Sequence, residues 1–302
     1  MSDVHNNPGQ ATAIGFLAIG LWSALAVLTK FAGAIPPFEL LALSFSVAFV
    51  ASVLVILRKG WDGIRRLKQP VAAWVYSFIG IFAYHALYFF ALSAAPAAQA
   101  SLINYLWPLL IVLFSSFTVR SGFRFRQLIG ALLGFLGTTL VIFPGGTALL
   151  NTKGTVAGYL AAAGAALVWS IYSVANRRFR EIPSDLIGGV CGLVAIAGAC
   201  VHVAVEPTIW PTGQQWAAIV LLGIGPVGLA FFAWDHATKH GHVPLLGIIS
   251  YIAPLLSTLL LILFGFVPAG WNIMAAAIMI VLGSAVASLR FNASRLNSRS
   301  LK

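Results

Sequence analysis

The chain has 302 residues, of which 60% are hydrophobic and only 8% are charged, so its composition excludes an ordinary soluble protein. If a membrane-spanning helix takes about 21 residues, ten helices use about 210 of them and leave no room for a soluble domain. The net charge of +11 at pH 7 does not indicate nucleic-acid binding, because the Lys and Arg residues lie almost wholly in short connectors and the tail, with no basic-aromatic groove between them.

Ten apolar segments follow one another along the chain and predict an all-α integral membrane protein with ten transmembrane helices. They span residues 12–34, 37–57, 71–93, 97–119, 127–145, 155–177, 185–205, 214–236, 244–266 and 270–290. The first segment is too long for the core of a signal peptide, and residues 1–11 contain no Lys or Arg. It is therefore expected to remain in the membrane.

The positive charges are distributed unequally between the two sides of the predicted bundle. Sixteen of the 18 Lys and Arg residues fall on one side, in the connectors after the second, fourth, sixth and eighth segments and in the tail from Arg290. Lys30 and Lys153 fall on the other side. The positive-inside rule then predicts that both termini are cytoplasmic. The basic tail either contacts anionic membrane lipids or serves only as a solvated topology anchor.

An internal repeat relates the two halves of the chain. Trp22-Ser23 aligns with Trp169-Ser170 at an offset of 147, and residues 105–110 align with residues 251–256 at an offset of 146. Each half has five segments, an odd number, so the second half enters the membrane from the opposite face, as in alternating-access transporters. The predicted parts are a tail at 1–11, a first repeat at 12–145, an external linker at 146–154, a second repeat at 155–290 and a basic tail at 291–302.

The paired Trp-Ser steps and the steps Pro108-Leu109 and Pro254-Leu255 resemble the EamA type of the drug/metabolite transporter superfamily. The resemblance covers about residues 12–290 and implies ten helices in two inverted five-helix repeats. Tyr84-His85 and residues 104–108 resemble more narrowly the YddG-type aromatic amino acid exporters of that superfamily. This implies export of Phe, Tyr, Trp and related small metabolites across a bacterial inner membrane. Export of another metabolite or drug is the alternative.

Several Trp and Tyr residues lie near the midpoints of segments, where hydrocarbon offers no hydrogen-bond partner, so they predict a polar midplane cavity. The predicted substrate-binding residues are Trp22, Tyr84, His85, Tyr88, Asn104, Tyr105, Trp107, Trp169, Tyr172, Ser250 and Tyr251. Tyr105 and Trp107 lie about 200° apart on an ideal helix, so both reach one cavity only if that helix is distorted. Helix packing is the alternative for any one of these residues. The remaining tryptophans, Trp61, Trp74, Trp210, Trp216, Trp234 and Trp271, are expected at the membrane interfaces.

Three prolines predict irregular helices. Pro108 and Pro254 each remove an amide and are expected to free the carbonyls of Asn104 and Ser250, or else to mark packing kinks. Pro226, in the glycine-rich stretch 223–228, predicts a hinge that breaks the eighth helix.

Lys30 and Arg177 are repeat partners, so inversion of the second half places them at opposite membrane faces. They are predicted gating residues that attract the substrate carboxylate at the two mouths. The alternative is that their long side chains reach the lipid headgroups.

No carboxylate falls near the midpoint of a predicted helix, so a buried acidic proton relay is not expected and transport is predicted to be facilitative. His85 is the ionisable side chain near the midplane and either binds substrate, carries a proton or bonds a neighbouring helix. His236, His240 and His242 form a metal site with Asp235 only if the loop geometry permits it, so no metal or other cofactor is predicted.

Other classes of protein fit the residues less well. Common hydrolase, metalloprotease and phosphate-binding motifs are missing, which argues against an enzyme. The sequence contains no carbonyl-rich filter of the kind found in channels, which argues against a channel. Cys191 and Cys200 lie about 13 Å apart along one helix and are not expected to form a disulfide. The small-residue pairs at 130/134 and 154/158 suggest packing within a monomer.

Overall fold

The computed structural model describes residues 7–118, 125–142 and 155–288, and these residues are helical or lie in short connections. The helices are α1 Pro8–Ser23, α2 Leu25–Ala32, α3 Pro37–Arg58, α4 Gly60–Arg65, α5 Val71–Ala94, α6 Ala97–Asn104, α7 Trp107–Thr118, α8 Phe125–Ile142, α9 Val156–Ala175, α10 Asp185–Val205, α11 Gly213–Leu222, α12 Ala230–His240, α13 Val243–Ile249, α14 Ile252–Leu263 and α15 Trp271–Ser288. The linker at 146–154, the tail at 291–302 and residues 1–6 lie outside the described residues.

The helices follow the order of the predicted segments. Eight helical runs in the described residues are long and apolar enough to cross a membrane. Two shorter apolar helices, Phe125–Leu140 and Trp271–Val286, lie where the fifth and tenth segments were predicted. The first run begins at Pro8, four residues earlier than predicted, because the Asn7 side chain accepts from the amide of Gly9 and Pro8 suits the first helical turn. The chain is therefore a multi-pass membrane protein.

The pairing of helices follows the internal repeat. α3 packs along α10 and α8 packs along α15, which joins the second segment to the seventh and the fifth to the tenth. α5 packs along α9, and α1 packs along α12, which joins the third segment to the sixth and the first to the eighth. When the two halves are exchanged, the second–seventh and fifth–tenth pairings stay the same. The third–sixth and first–eighth pairings change places. A two-fold relation between the halves produces this pattern.

Charged residues gather at the two ends of the bundle. At one end, called here the basic end, Lys59 and Arg66 after α3 lie 2.6 and 3.0 Å from the carboxylate of Asp185, at the start of α10. At the other end the Glu206 carboxylate accepts from the first amides of α3 and lies 3.0 Å from His202 Nδ1. The basic connectors after the second and sixth segments therefore meet at one end.

Gly158 marks the closest approach of α9 to α5. The Thr155 hydroxyl and amide donate to the carbonyl of Ala94, and a Cβ on Gly158 would lie 2.8 to 2.9 Å from that same carbonyl group. Replacement by Ala is expected to separate the two helices and to lower stability by about 1–3 kcal/mol. The measurement is thermal unfolding in detergent. Gly20→Ala is the control, since nothing lies within 4 Å of its Cβ position. Equal melting temperatures for the two variants would contradict the expectation.

Candidate substrate site

Aromatic side chains from six membrane-spanning runs meet inside the bundle and form what is called here the aromatic cluster. Its members are Trp22, Phe45, Tyr84, His85, Tyr88, Trp107, Trp169, Phe231 and Trp234. Trp169 lies at its centre: its ring centroid is 5.6 Å from that of Trp22 and 5.2 Å from that of Tyr84. The structure thus brings together Trp22, Tyr84, His85, Tyr88, Trp107 and Trp169, all of which were predicted from the sequence to line one site.

Polar atoms of this cluster have defined partners. Trp22 Nε1 donates to the carbonyl of Pro226 at 3.0 Å, and Trp234 Nε1 donates to Ser173 Oγ at 3.0 Å. The amide nitrogen of Asn104 donates to the Tyr84 hydroxyl at 3.1 Å. The carbonyl oxygen of the same Asn104 side chain is buried and has no hydrogen-bond partner among the described residues. A buried polar atom of this kind is costly to leave unsatisfied, so it is suited to a ligand.

His85 is held by its own helix. Its Nδ1 lies 2.7 Å from the carbonyl of Ile81, and since a carbonyl only accepts, Nδ1 is the donor. In the neutral ring Nε2 is then an acceptor. The ring centroid lies 5.5 Å from Phe45 and 6.0 Å from Phe231, so a group that meets this histidine also meets aromatic faces.

The fourth and ninth segments are each broken at the positions that the prolines suggested. α6 ends at Asn104 and α7 begins at Trp107, with Tyr105 half-buried in the turn between them. α13 ends at Ile249 and α14 begins at Ile252. The predicted distortion of the fourth helix is therefore confirmed, and its repeat partner shares it.

The expected free carbonyl at Ser250 is wrong. The amide of Ala253 donates to it at 3.0 Å, because the chain tightens into a turn there, and Ser250 Oγ donates to the carbonyl of Leu246 at 2.7 Å. The two broken helices meet where Gly247 faces the carbonyl of Pro108.

Two predicted residues lie away from the centre of the cluster. Tyr251 is fully buried in a second apolar cluster between α7, α8 and α15, where its ring packs on Gly134. Tyr172 is buried beside Trp169, at 5.3 Å between ring centroids, and its ring fills the space left by Gly80. Tyr172 therefore packs against Trp169, and a substrate contact by Tyr172 or Tyr251 stays a prediction.

The eighth helix does not break at Pro226. Residues Gly223–Leu229 form a π-helical segment that continues from α11 into α12, so the wider turn accommodates the proline without ending the helix. Lys30 and Arg177 are exposed at the ends of their helices.

The sequence interpretation missed three residues of α12. Trp234 was expected at a membrane interface, and this is wrong: its side chain is fully buried, with its ring centroid 5.1 Å from that of Trp22. Asp235 and Lys239 were assigned to the end of the helix and the connector, yet they form a buried ion pair within α12. The sequence Phe-Phe-Ala at residues 89–91 recurs at residues 231–233, at an offset of 142. This further repeat match was the available signal, since it extends the aromatic face of the third segment to the eighth.

Comparison with known proteins places this architecture in a family. The model of the EamA-like transporter family matches the chain twice, over residues 10–143 and 156–289. The chain belongs to the EamA-like transporter family. The two matches identify this EamA-like protein as a membrane transporter.

Relatives of the EamA-like chain cover most of its length. The aromatic amino acid exporter YddG of Ancylobacter novellus is 47% identical over 279 residues, which are 92% of this chain and 97% of that protein. The protein of the same name in Escherichia coli K12 is 27% identical over 91% of this chain and 95% of its own. A solved crystal structure with 46% identity superposes with a TM-score of 0.88 over 94% of this chain and 99% of the other.

Proposed function

We propose that this protein exports aromatic amino acids, namely Phe, Tyr, Trp and related small metabolites, through the aromatic cluster by alternating access. One observation carries the proposal: the partnerless carbonyl oxygen of Asn104 lies in a helix break beside the aromatic rings. It offers an acceptor for an ammonium group at the place where rings are available for stacking. Trp22, Tyr84 and His85 contact neighbours across the bundle and are only half-buried, which is consistent with a space between them.

The proposed arrangement in the membrane follows from the charges at the two ends. The basic end gathers Arg66 and Arg180 around one pocket, and Lys59 pairs with Asp185 of the same pocket. This end is assigned to the cytoplasm of a bacterium, with the chain in the inner membrane. Ten helices in two inverted repeats then place both termini on the cytoplasmic side. The protein is proposed to act as a monomer surrounded by lipid.

The site residues of the proposal are those of the aromatic cluster with Asn104 and Tyr105, while Ser250, Tyr251 and Tyr172 support them. Pro108, Pro226 and Pro254 are proposed as the positions about which the helices bend. Export of another small metabolite or drug by the same site is the second candidate.

Purified protein in liposomes tests the function. Saturable exchange of tryptophan that phenylalanine and tyrosine inhibit is expected, because each aromatic contact adds about 0.5–1.5 kcal/mol beyond burial. Alanine is expected to be exchanged much more slowly. Equal exchange of alanine and tryptophan would overturn the aromatic specificity, and flux without saturation would indicate a channel. Concentrative uptake driven by an imposed proton or sodium gradient would contradict facilitative transport.

Neutralising the exposed cations tests the gating prediction. Lys30→Gln and Arg177→Gln are each expected to raise the half-saturation concentration about two- to tenfold at the mouth where the residue lies, because a positive charge raises the local concentration of carboxylates. Initial rates measured from each face give this quantity. Arg178→Gln is the control for the exposed charge next to Arg177. If all three variants behave alike, the side chains of Lys30 and Arg177 serve only the lipid headgroups.

A further inference from the structure

The end of α12 carries a buried ion pair next to the aromatic cluster. Lys239 Nζ lies 2.7 Å from Asp235 Oδ2, and the two side chains are 2% and 0% exposed. Trp234, the residue before this aspartate, is in ring contact with Trp22 and Trp107 at 5.1 and 5.9 Å. The buried aspartate and an aromatic residue of the cluster are thus neighbours in α12.

The pair binds α12 to the connector between α9 and α10. Ser184 Oγ donates to Asp235 Oδ2 at 2.6 Å, and Lys239 Nζ donates to the carbonyl of Ile182 at 3.0 Å. Asn176 Nδ2 donates to the other carboxylate oxygen at 3.1 Å. Every one of these bonds is lost if the end of α12 moves away from residues 176–184.

A pocket of about 510 Å³ lies on the other side of the pair, at the basic end. Ile182 and Ser184, which hold the ion pair, line this pocket together with Arg66, Arg180 and His240. The ion pair therefore stands between a polar pocket open at the surface and the aromatic cluster.

We infer that the Asp235–Lys239 pair is the gate between this pocket and the aromatic cluster, a role that rests on the proposed alternating access. A buried pair is a weak source of stability, because removing two charges from water costs about as much as their attraction returns. When the end of α12 moves off the connector, water from the pocket hydrates both charges. The closed and open arrangements thus differ little in free energy, as a gate requires.

Two variants, one single and one double, are expected to shift the equilibrium of the gate in opposite directions. Lys239→Gln leaves the Asp235 charge buried without its cation, which destabilises the closed arrangement and favours the open one. Asp235→Asn combined with Lys239→Met removes both charges, so opening no longer gains their hydration and the closed arrangement is favoured. A merely structural pair does not produce this change of sign.

A reporter thiol measures the opening without any substrate. Cys191→Ala and Cys200→Ser remove the native thiols, and Ser173→Cys places a thiol beside Trp234, behind the gate. A charged, membrane-impermeant thiol reagent is added to vesicles at the face of the basic end. Labelling is expected to be at least about tenfold faster in the Lys239→Gln chain and severalfold slower in the double variant. Ser184→Ala, which removes one bond and no charge, is expected to accelerate labelling modestly and serves if the Lys239 variant does not fold.

Asp62→Asn is the control, because its exposed ion pair with Arg65 lies in α4 and neither residue lines the pocket. Its labelling rate is expected to equal that of the parent chain. Equal labelling rates in the Ser184, Lys239 and double variants, or a double variant that is shifted in the same direction as the other two, would overturn the gate. The labelling experiment needs no amino acid, so it tests the gate separately from the substrate. If the parent chain does not exchange aromatic amino acids in liposomes but the labelling rates shift as expected, the proposed substrate is rejected and the gate is kept.

Discussion

Trp169→Ala is expected to reduce exchange of tryptophan at least about tenfold, which corresponds to 1.4 kcal/mol. Trp169 joins the rings of α1, α5, α7 and α12 at centroid distances of 5.2 to 6.4 Å, so its removal opens the centre of the cluster. The initial rate in liposomes is the measurement. Trp169→Phe keeps a ring and is expected to restore part of the rate.

Folding must be separated from transport in this experiment, since truncation of a buried Trp costs about 3–5 kcal/mol. Monodispersity and the melting temperature are therefore measured for each variant. Trp271→Ala is the control, because that side chain is 72% exposed. A normally transporting Trp169→Ala chain would make Trp169 a packing residue and would leave the aromatic cluster without a role in binding.

Asn104→Leu is expected to lower tryptophan exchange about tenfold or more while leaving the protein equally or more stable. The two effects separate because the Asn104 carbonyl oxygen is buried without a partner, so its removal relieves an unsatisfied polar atom of about 1–3 kcal/mol. The measurements are exchange in liposomes and thermal unfolding in detergent.

Thr138→Val is the matched control for this variant, since the Thr138 hydroxyl in α8 is also buried without a partner in the part of the chain that the structure describes. It is expected to gain stability without any change in exchange. A destabilised Asn104→Leu chain would instead mean that the bond to the Tyr84 hydroxyl is structural, and normal exchange would exclude Asn104 from the site.

The sequence predicted the order of the helices because each apolar run must satisfy its backbone within itself in a membrane. It also predicted a distortion near Tyr105, since Pro108 removes an amide there and Tyr105 and Trp107 reach one cavity only if the helix is irregular. The convergence of Trp22, Tyr84 and Trp169 followed from their depth along the helices, which residue counting measures well.

Rotation about the helix axis was much harder to predict. Tyr251 has the same depth as the other aromatic residues, but the turn after α13 directs its ring toward Gly134, and that contact depends on tertiary packing. Trp234 was misplaced for the opposite reason: its position near a segment end suggested an interface, whereas the helix continues to His240 and keeps it buried. In the sequence alone, an Asp and a Lys near the end of a segment also look like charged residues of a solvated connector.

The Asp235–Lys239 pair is present in one half of the chain only. At the offset of 142 that aligns residues 89–91 with 231–233, the corresponding positions are Ser93 and Ala97, which carry no charge. With the proposed gate in only one half, opening the two mouths involves different barriers. A carrier without an energy source must nevertheless have the same ratio of maximal rate to half-saturation concentration from both faces, because microscopic reversibility forbids net pumping. Different barriers then appear as unequal half-saturation concentrations at the two faces, with maximal rates that differ in the same proportion. Neither direction of transport is favoured at equilibrium.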